Sequence, residues 1–146
     1  MTDQPISAQD ITPEQFAELV RSASDEDILN VVRATGTEAV LHRIFEGMQE
    51  RFLADRAAAI NAKVQFVITD DGNEYPYFVS IENGKCETGS GTAESPRTTI
   101  TTDLVSFTRL VSGQAQGPQL FMSGKLKVAG DLMFSAQIMN YFDAPK

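Results

Sequence analysis

The sequence contains few of the residues from which chemical sites are built. The 146-residue chain has one cysteine, one histidine and no tryptophan. Cys86 has no partner for an internal disulfide, and His42 has no second histidine or cysteine near it in sequence with which to hold a metal ion. No acid pair clusters in the sequence either. We therefore expect neither catalysis nor a cofactor nor a bound metal.

The chain also lacks an excess of positive charge. Twelve lysines and arginines face twenty aspartates and glutamates, which gives a formal net charge of -8. Phosphates repel such a protein at long range, so we expect no nucleic-acid partner and at most transient membrane contact. The sequence contains no run of eighteen apolar residues and no basic start followed by an apolar stretch, so it predicts neither a membrane span nor a signal peptide. We expect a cytoplasmic protein.

The first third of the chain is predicted to be helical, after a tail without periodicity over residues 1–11. Residues 12–36 predict two short helices, the second capped by Ser24 and ended by Gly36. A longer helix is predicted from Thr37 to about Ala59, because apolar residues recur there at steps of three and four. Residues 37–146 are predicted to form the main domain.

The middle of the chain alternates apolar and polar residues, which is typical of strands. Two alternating segments are separated by Asp71-Gly72, and Asn83-Gly84 then predicts a tight hairpin turn into a third strand. A fourth strand is predicted over residues 97–102, Asp103 caps a helix after it, and a fifth strand covers residues 125–129.

The last segment, Leu132 to Phe142, is predicted to be a helix with Asp131 as its N-cap. Its only polar residues are Ser135, Gln137 and Asn140. A helix that is apolar nearly all round needs cover on most sides. Deep burial, a partner chain or an internal apolar ligand would each provide that cover.

Residues Met122 to Asp131, read as Met-Ser-Gly-Lys-Leu-Lys-Val-Ala-Gly-Asp, resemble the strand-to-helix hallmark of the SCP-2 sterol-transfer family. With the apolar helix after it, the resemblance extends from about Val40 to Phe142. It implies an α+β fold, in which a five-stranded, mainly antiparallel sheet is covered by helices around an apolar tunnel. The C-terminal residues 143–146 differ from a peroxisomal Ser-Lys-Leu signal, so a bacterial-type cytoplasmic member is expected. The extra N-terminal helices are expected either to cover the tunnel or to pack elsewhere.

The resemblance also implies what the tunnel holds and which residues line it. The expected ligand is a sterol, a fatty acid or a fatty acyl-CoA. The expected lining consists of apolar residues from the sheet, the helix after Asp103, the segment before the fifth strand and the last helix: Phe66, Ile68, Tyr77, Val79, Leu104, Phe107, Leu110, Phe121, Met122, Leu126, Val128, Met133, Phe134, Ile138 and Met139.

Two functions follow from these patterns. The first is an intracellular lipid-binding or lipid-transfer protein with no catalysis of its own. The alternative is a non-catalytic interaction or dimerisation module, in which the apolar last helix binds a partner protein or a second copy. Lys125 and Lys127, with Arg97 and Arg109, are candidates for a basic rim at the tunnel mouth, although solvated charges on a strand face explain them equally well.

Overall fold

The computed structural model describes residues 13–57 and 59–142. The predicted tail, residues 1–11, and the last predicted residues, 143–146, lie outside these ranges. In chain order the elements are α1 (Pro13–Ser22), α2 (Asp25–Thr35), α3 (Thr37–Glu50), β1 (Ala62–Asp70), β2 (Asn73–Glu82), β3 (Lys85–Ser90), β4 (Thr98–Asp103), α4 (Leu104–Val111), α5 (Gly117–Met122), β5 (Leu126–Gly130), α6 (Leu132–Gln137) and a 3₁₀ turn (Ile138–Tyr141). In the described part of the chain, no helix has the length and apolar content that crossing a membrane requires.

The five strands form one sheet in the order β3-β2-β1-β4-β5. All neighbouring strands are antiparallel except β1 and β4, which run parallel. The sheet is therefore mixed and mainly antiparallel, which confirms the predicted fold class. Both predicted hairpins are present, as two-residue turns with positive φ at Asp71-Gly72 and at Asn83-Gly84.

One face of the sheet, the inner face, is buried beneath the helices. Phe66 of β1 stands opposite Tyr77 of β2 and Ile100 of β4, and all three side chains are buried. The alternation predicted from the sequence places them together, because successive side chains of a strand point to opposite faces. The inner face is consequently apolar across the middle of the sheet.

The opposite, outer face is crossed by the connection from β3 to β4. Gln65 of β1 is buried there, and its Nε2 donates to the carbonyl oxygens of Tyr77 at 3.0 Å and Gly91 at 3.1 Å. Its Oε1 accepts the backbone N–H of Ala93. One amide side chain therefore holds the connection against the sheet and satisfies its own donor and acceptor groups.

The ring of Phe45 lies at the centre of the layer between the sheet and the helices. It stacks on Tyr77 at 4.6 Å between ring centroids and on Phe107 of α4 at 5.1 Å, and it meets Phe66 edge-on at 5.5 Å. Aromatic pairs at these separations add stability beyond the apolar area that they bury. Phe45 thereby joins α3, the sheet and α4.

The two N-terminal helices pack on the outside of α4. Val20, Ile28 and Val32 are buried in the same apolar cluster as the residues of the sheet. The Nη2 of Arg109 on α4 donates to Asp25 Oδ1 at 2.7 Å and to the carbonyl oxygen of Ala23 at 3.2 Å. These helices therefore form a third layer, with α4 between them and the sheet.

Two predicted helix ends were wrong, and the two segments contact each other just beyond them. The helix predicted to reach about Ala59 ends at Glu50, because Phe52 pairs with Phe142 as an isolated bridge. The backbone N–H of Leu53 also donates to the carbonyl oxygen of Tyr141 at 2.7 Å. This pairing needs extended backbone at both residues. The helix predicted over residues 132–142 is an α-helix only to Gln137 and continues as a 3₁₀ turn to Tyr141, directly before the bridge.

Replacing the central ring tests this packing. Phe45→Ala should lower the free energy of unfolding by about 3 to 5 kcal/mol, because the ring is fully buried and leaves a cavity. Urea unfolding monitored by circular dichroism measures the loss. The control is Glu46→Ala, an exposed neighbour on the same helix, for which a change within about 0.5 kcal/mol is expected. Equal losses for the two variants would contradict the central position of the ring.

Candidate functional site

The inner face of the sheet and the helices over it form the candidate site. Ten of the predicted lining residues are buried there, in one apolar cluster: Phe66, Ile68, Tyr77, Val79, Leu104, Phe107, Leu110, Leu126, Phe134 and Ile138. Val128 is half-buried, whereas Phe121, Met122 and Met133 are exposed. The side chain of Met139 lies outside the part of the chain that the structure describes. The lining remains a prediction for all of these residues.

Aromatic rings occupy the middle of this site. Phe66, Tyr77 and Phe107 all contact Phe45. The sequence predicted Phe45 only as one of the apolar residues that recur along the long helix. At the other end, the guanidinium of Arg97 lies 4.5 Å from the centre of the Phe134 ring. Sequence reasoning missed Phe45 as a site residue because helical periodicity identifies a buried face but not its neighbour across the interior.

The turns at the two ends of β5 explain several residues of the family hallmark, Met122 to Asp131. At the end of α5, the backbone N–H of Lys125 donates to the carbonyl oxygen of Leu120 at 2.9 Å, which turns the chain into β5. At the other end of β5, a side chain on Gly130 would place its Cβ 2.6 Å from the carbonyl oxygen of Arg97. Glycine is therefore required at position 130 by close backbone approach.

Asp131 completes the turn as the N-cap of α6. Its carboxylate accepts the backbone N–H of Phe134 at 2.9 Å and pairs with the Nε of Arg97 at 3.0 Å. The hydrogen bond from Phe134, followed by the contact with Arg97, lowers the pKa of this carboxyl group. The cap confirms the prediction made for Asp131 and fixes where α6 begins on the sheet.

On β5, an edge strand, the inner face is only partly covered. Val128 lies opposite Ile100, which is buried, yet Val128 itself is only half-buried. Helix α5 packs on β5, and α6 packs on β4 and β5. Val128, a partly exposed apolar residue of the inner face, thus lies on the strand that both of these helices contact.

A separate cavity of about 420 Å³, partly open to solvent, lies between α3 and the opposite edge of the sheet. Its lining mixes charged, polar and aromatic side chains: Ala39, His42, Arg43, Phe45, Glu46, Gln49, Tyr77, Thr88 and Gly89. Gln49 also accepts the backbone N–H of Thr88 at 3.0 Å, so α3 covers part of this sheet edge. The ring of His42 meets the ring of Tyr77 edge-on, at 5.3 Å between centroids. This mixed lining differs from the apolar tunnel that the sequence predicted.

Two titratable groups of the sheet, Cys86 and Tyr77, have raised pKa values. Burial raises the pKa of the Cys86 thiol to about 12. The pKa of Tyr77 rises to about 12, chiefly through burial and then through the negative charge of Glu38. Both shifts keep a nucleophile protonated near neutral pH. Among the described residues, no group of three or more His, Cys, Asp and Glu side chains is arranged to hold a metal ion.

The four basic residues considered for a rim have different surroundings. Arg97 pairs with Asp131, and Arg109 pairs with Asp25 of α2. Lys125 and Lys127 are exposed beside β5, and neither forms an ion pair with a residue that the structure describes. Of the four basic residues, Lys125 and Lys127 are therefore the two that remain available to contact an anionic group.

Comparison with known proteins gives one family and one fold. The sequence profile of the SCP-2 sterol transfer family matches residues 41–143. The oleate-induced peroxisomal protein POX18 of Candida maltosa is 28% identical over 102 residues, which make up 68% of this chain and 80% of that protein. Sterol carrier protein 2 from Yarrowia lipolytica superimposes with a TM-score of 0.60 at 22% identity, over 73% of this chain and 93% of that one.

The same fold also occurs inside a larger enzyme. The inverting sec-alkylsulfatase Pisa1 from Pseudomonas sp. superimposes with a TM-score of 0.65 at 16% identity. The match covers 79% of this chain and 17% of that one, so this chain spans about a sixth of the enzyme's length. At this identity the likeness concerns the fold alone.

The shifted pKa of Cys86 predicts a loss of stability in alkali. In the folded protein the thiol stays protonated up to about pH 12, whereas in the unfolded chain it ionises above its ordinary pKa of 9.0. The stabilisation from this group is therefore lost as pH rises from 9 towards 12. Urea unfolding between pH 8 and about pH 11 should show a shallower decline for Cys86→Ala than for the wild type. Parallel curves would contradict burial of the thiol.

Proposed function

The chain belongs to the SCP-2 sterol transfer family, and we propose that it binds and carries a lipid against the inner face of its sheet. The proposed ligand is a sterol, a fatty acid or a fatty acyl-CoA. Its apolar part would lie between the sheet and the helices α4 and α6, and the proposed mouth lies beside Val128, between α5 and α6. The ten buried lining residues, together with Val128, are the proposed contacts.

The observation that supports this proposal most directly is the continuity of apolar side chains from the buried centre to the edge of the sheet. Phe66 pairs with Ile100, and Ile100 pairs with the half-buried Val128 at the edge. A lipid entering between α5 and α6 would therefore meet apolar surface at every step.

The energetics of chain burial are sufficient for a carrier without a charged anchor. A chain of sixteen carbons gains roughly 13 kcal/mol on burial at about 0.8 kcal/mol per methylene. Association and ordering remove several kcal/mol of that gain. The remainder permits micromolar or tighter binding, with a selectivity set by the length and width of the space.

The packing of the centre adds a requirement to the proposal. The rings of Phe45, Phe66 and Phe107 contact one another, so a lipid that reaches the middle of the sheet must displace at least one of them. Rotation of an aromatic side chain is a modest rearrangement compared with separating whole helices. We propose that Phe107 moves, because it lies on the short helix α4, whereas Phe66 lies in a central strand of the sheet and Phe45 lies on the longer helix α3.

The proposal assigns no catalysis to the chain. The two nucleophiles near the site, Cys86 and Tyr77, are kept protonated by burial, and a reactive thiol requires the opposite shift. The cytoplasm remains the proposed compartment, although the name of the Candida maltosa relative places that protein in peroxisomes. Fractionation of cells that express the native protein tests this assignment.

The alternative function is an interaction or dimerisation module. It is favoured by exposed apolar side chains on either side of β5, which a second protein would cover. Under this alternative the buried residues of the inner face are ordinary core and exchange with no ligand. The two functions therefore differ in whether the interior accepts a lipid.

Lipid binding in solution tests the proposal. A fluorescent fatty acid should bind saturably, and unlabelled oleate, palmitoyl-CoA or cholesterol should displace it, because the proposed site is shared by apolar ligands. Fluorescence titration with purified protein measures both steps. A protein that takes up none of these lipids, and whose mass increases with concentration, would instead support the alternative.

Replacing one aromatic ring by a smaller side chain distinguishes a lipid-binding site from a packed core. Phe107→Leu should lower stability by about 1 to 2 kcal/mol and raise the affinity for cholesterol relative to palmitate, because it opens space in the middle of the site. Phe142→Leu is the matched control, since that ring is also buried but packs on Phe52 at the end of the chain. Similar stability losses with unchanged lipid preference in both variants would mean that Phe107 is core only.

A further inference from the structure

Large exposed apolar side chains are concentrated beside one strand. The described residues include five of them, and four flank β5: Phe121 at 42% exposure, Met122 at 86%, Leu132 at 50% and Met133 at 72%. The fifth, Val31, stands alone on α2. Single exposed apolar residues are normal on a protein surface, whereas a group of four beside one edge marks a site of contact.

The turns at both ends of β5 account for this exposure. At the end of α5, Leu120 points into the core, and the chain then reverses through Gly124 and Lys125, which leaves Phe121 and Met122 outside. At the start of α6, Phe134 points into the core and the two residues before it remain outside. The two apolar pairs thus lie at opposite ends of a strand that is roughly 16 Å long.

The charge between these two pairs is positive. Lys125 and Lys127 are exposed there, and the nearest carboxylate in sequence, Asp131, is already paired with Arg97. Over residues 117–142 the charged residues are these two lysines and Asp131, in a chain whose net charge is -8. The edge at β5 is therefore a small basic area on an acidic protein, and an anionic surface would orient the protein with this edge towards it.

We propose that the β5 edge is a membrane-docking surface that binds anionic bilayers. It consists of Phe121, Met122, Leu132 and Met133, which enter the boundary between headgroups and acyl chains, and of Lys125 and Lys127, which contact lipid phosphates. The inference rests on the proposed function, because docking here places the mouth beside Val128 at the bilayer. A lipid then passes between protein and membrane without crossing water.

The other occupants of this edge fit the charges less well. A second copy paired through β5 would bring the lysines of two strands close together, and like charges across a strand pair are destabilising. A nucleic acid offers phosphates but gives four exposed apolar side chains no apolar partner. An anionic bilayer offers both the negative charge and the apolar interior.

Vesicle sedimentation tests the docking surface. Full-length protein is mixed with vesicles of phosphatidylcholine and phosphatidylserine in equal parts, or of phosphatidylcholine alone, at low salt. Partition onto the anionic vesicles should exceed that onto the neutral ones and should weaken in about 0.1 M salt. Lys125→Gln with Lys127→Gln should lower partition about fivefold per lysine, as expected for about 1 kcal/mol from each charge near the surface.

Matched variants distinguish a role of the β5 edge in vesicle binding from the general effect of losing an exposed apolar or charged side chain. Leu132→Ser and Met122→Ser should each lower partition several-fold, whereas Val31→Ser, which removes an equally exposed apolar residue on α2, should not. Lys85→Gln, at the opposite edge of the sheet, is the control for charge. Uptake of fluorescent fatty acid in solution should stay unchanged in Leu132→Ser and in the double lysine variant, because these residues are not proposed contacts of the bound lipid.

Several outcomes would overturn the docking surface. One is a wild type that takes up fatty acid but partitions equally onto anionic and neutral vesicles, which leaves the proposed function intact. Another is a loss of partition as large for Val31→Ser and Lys85→Gln as for the β5 variants. A solution dimer that Met122→Ser dissociates, without any vesicle binding, would assign the edge to a second copy. Partition that depends on the β5 residues in a protein that takes up no lipid would support docking and contradict the carrier.

Discussion

The stacking of Phe45 between Tyr77 and Phe107 is the contact on which the rest of the molecule depends. A single ring joins the first helix of the family region, the centre of the sheet and the helix that follows β4. Every larger movement of these layers must break one of its contacts. The same ring also lines the cavity beside α3. One side chain therefore contributes both to the packed centre and to the wall of that cavity.

The N-terminal helices cover a side of α4 that the sheet leaves uncovered. On both of its sides this helix is covered, by the sheet and by α1 and α2, and even Ser106 and Thr108 are buried. Those hydroxyl groups find partners on their own helix and its cap, since Thr108 donates to the carbonyl oxygen of Leu104 at 2.8 Å and Ser106 Oγ donates to Asp103. The bonds from Arg109 to α2, and from Arg33 of α2 to Asp70 of β1, hold the third layer in place. The region outside the family match is thus integrated with the domain and not merely appended to it.

Much of the fold was predictable because its signals are local. The alternation in β1 and β2, the Asp71-Gly72 and Asn83-Gly84 turns, and the caps at Ser24, Asp103 and Asp131 each depend on a few neighbouring residues, and the structure confirms them. The end of α3 was not predictable, since the chain beyond it pairs with Phe142 through Phe52, ninety residues away in sequence. The parallel pairing of β1 with β4 is equally non-local. For the site, the residue types were visible in the sequence, but the position of Phe45 and the exposure of Met122 and Met133 depend on tertiary packing.

The hydrogen bonds between Gln65 and the β3–β4 connection have a consequence for how the chain folds. Each hairpin can form from neighbouring residues, whereas the pairing of Val64 with Thr98 must close a loop that contains both β2 and β3. Long loops close slowly, and until then one side of β1 has no partner strand. Once the β3–β4 connection has crossed the sheet, the Gln65 amide forms hydrogen bonds with Gly91 and Ala93 and holds that segment against the sheet. The amide can therefore make these bonds only after the connection is in place, and it then stabilises a topology that local signals alone would not select. Until β4 pairs with β1, the unpaired side of β1 is a strand edge of the kind that promotes aggregation.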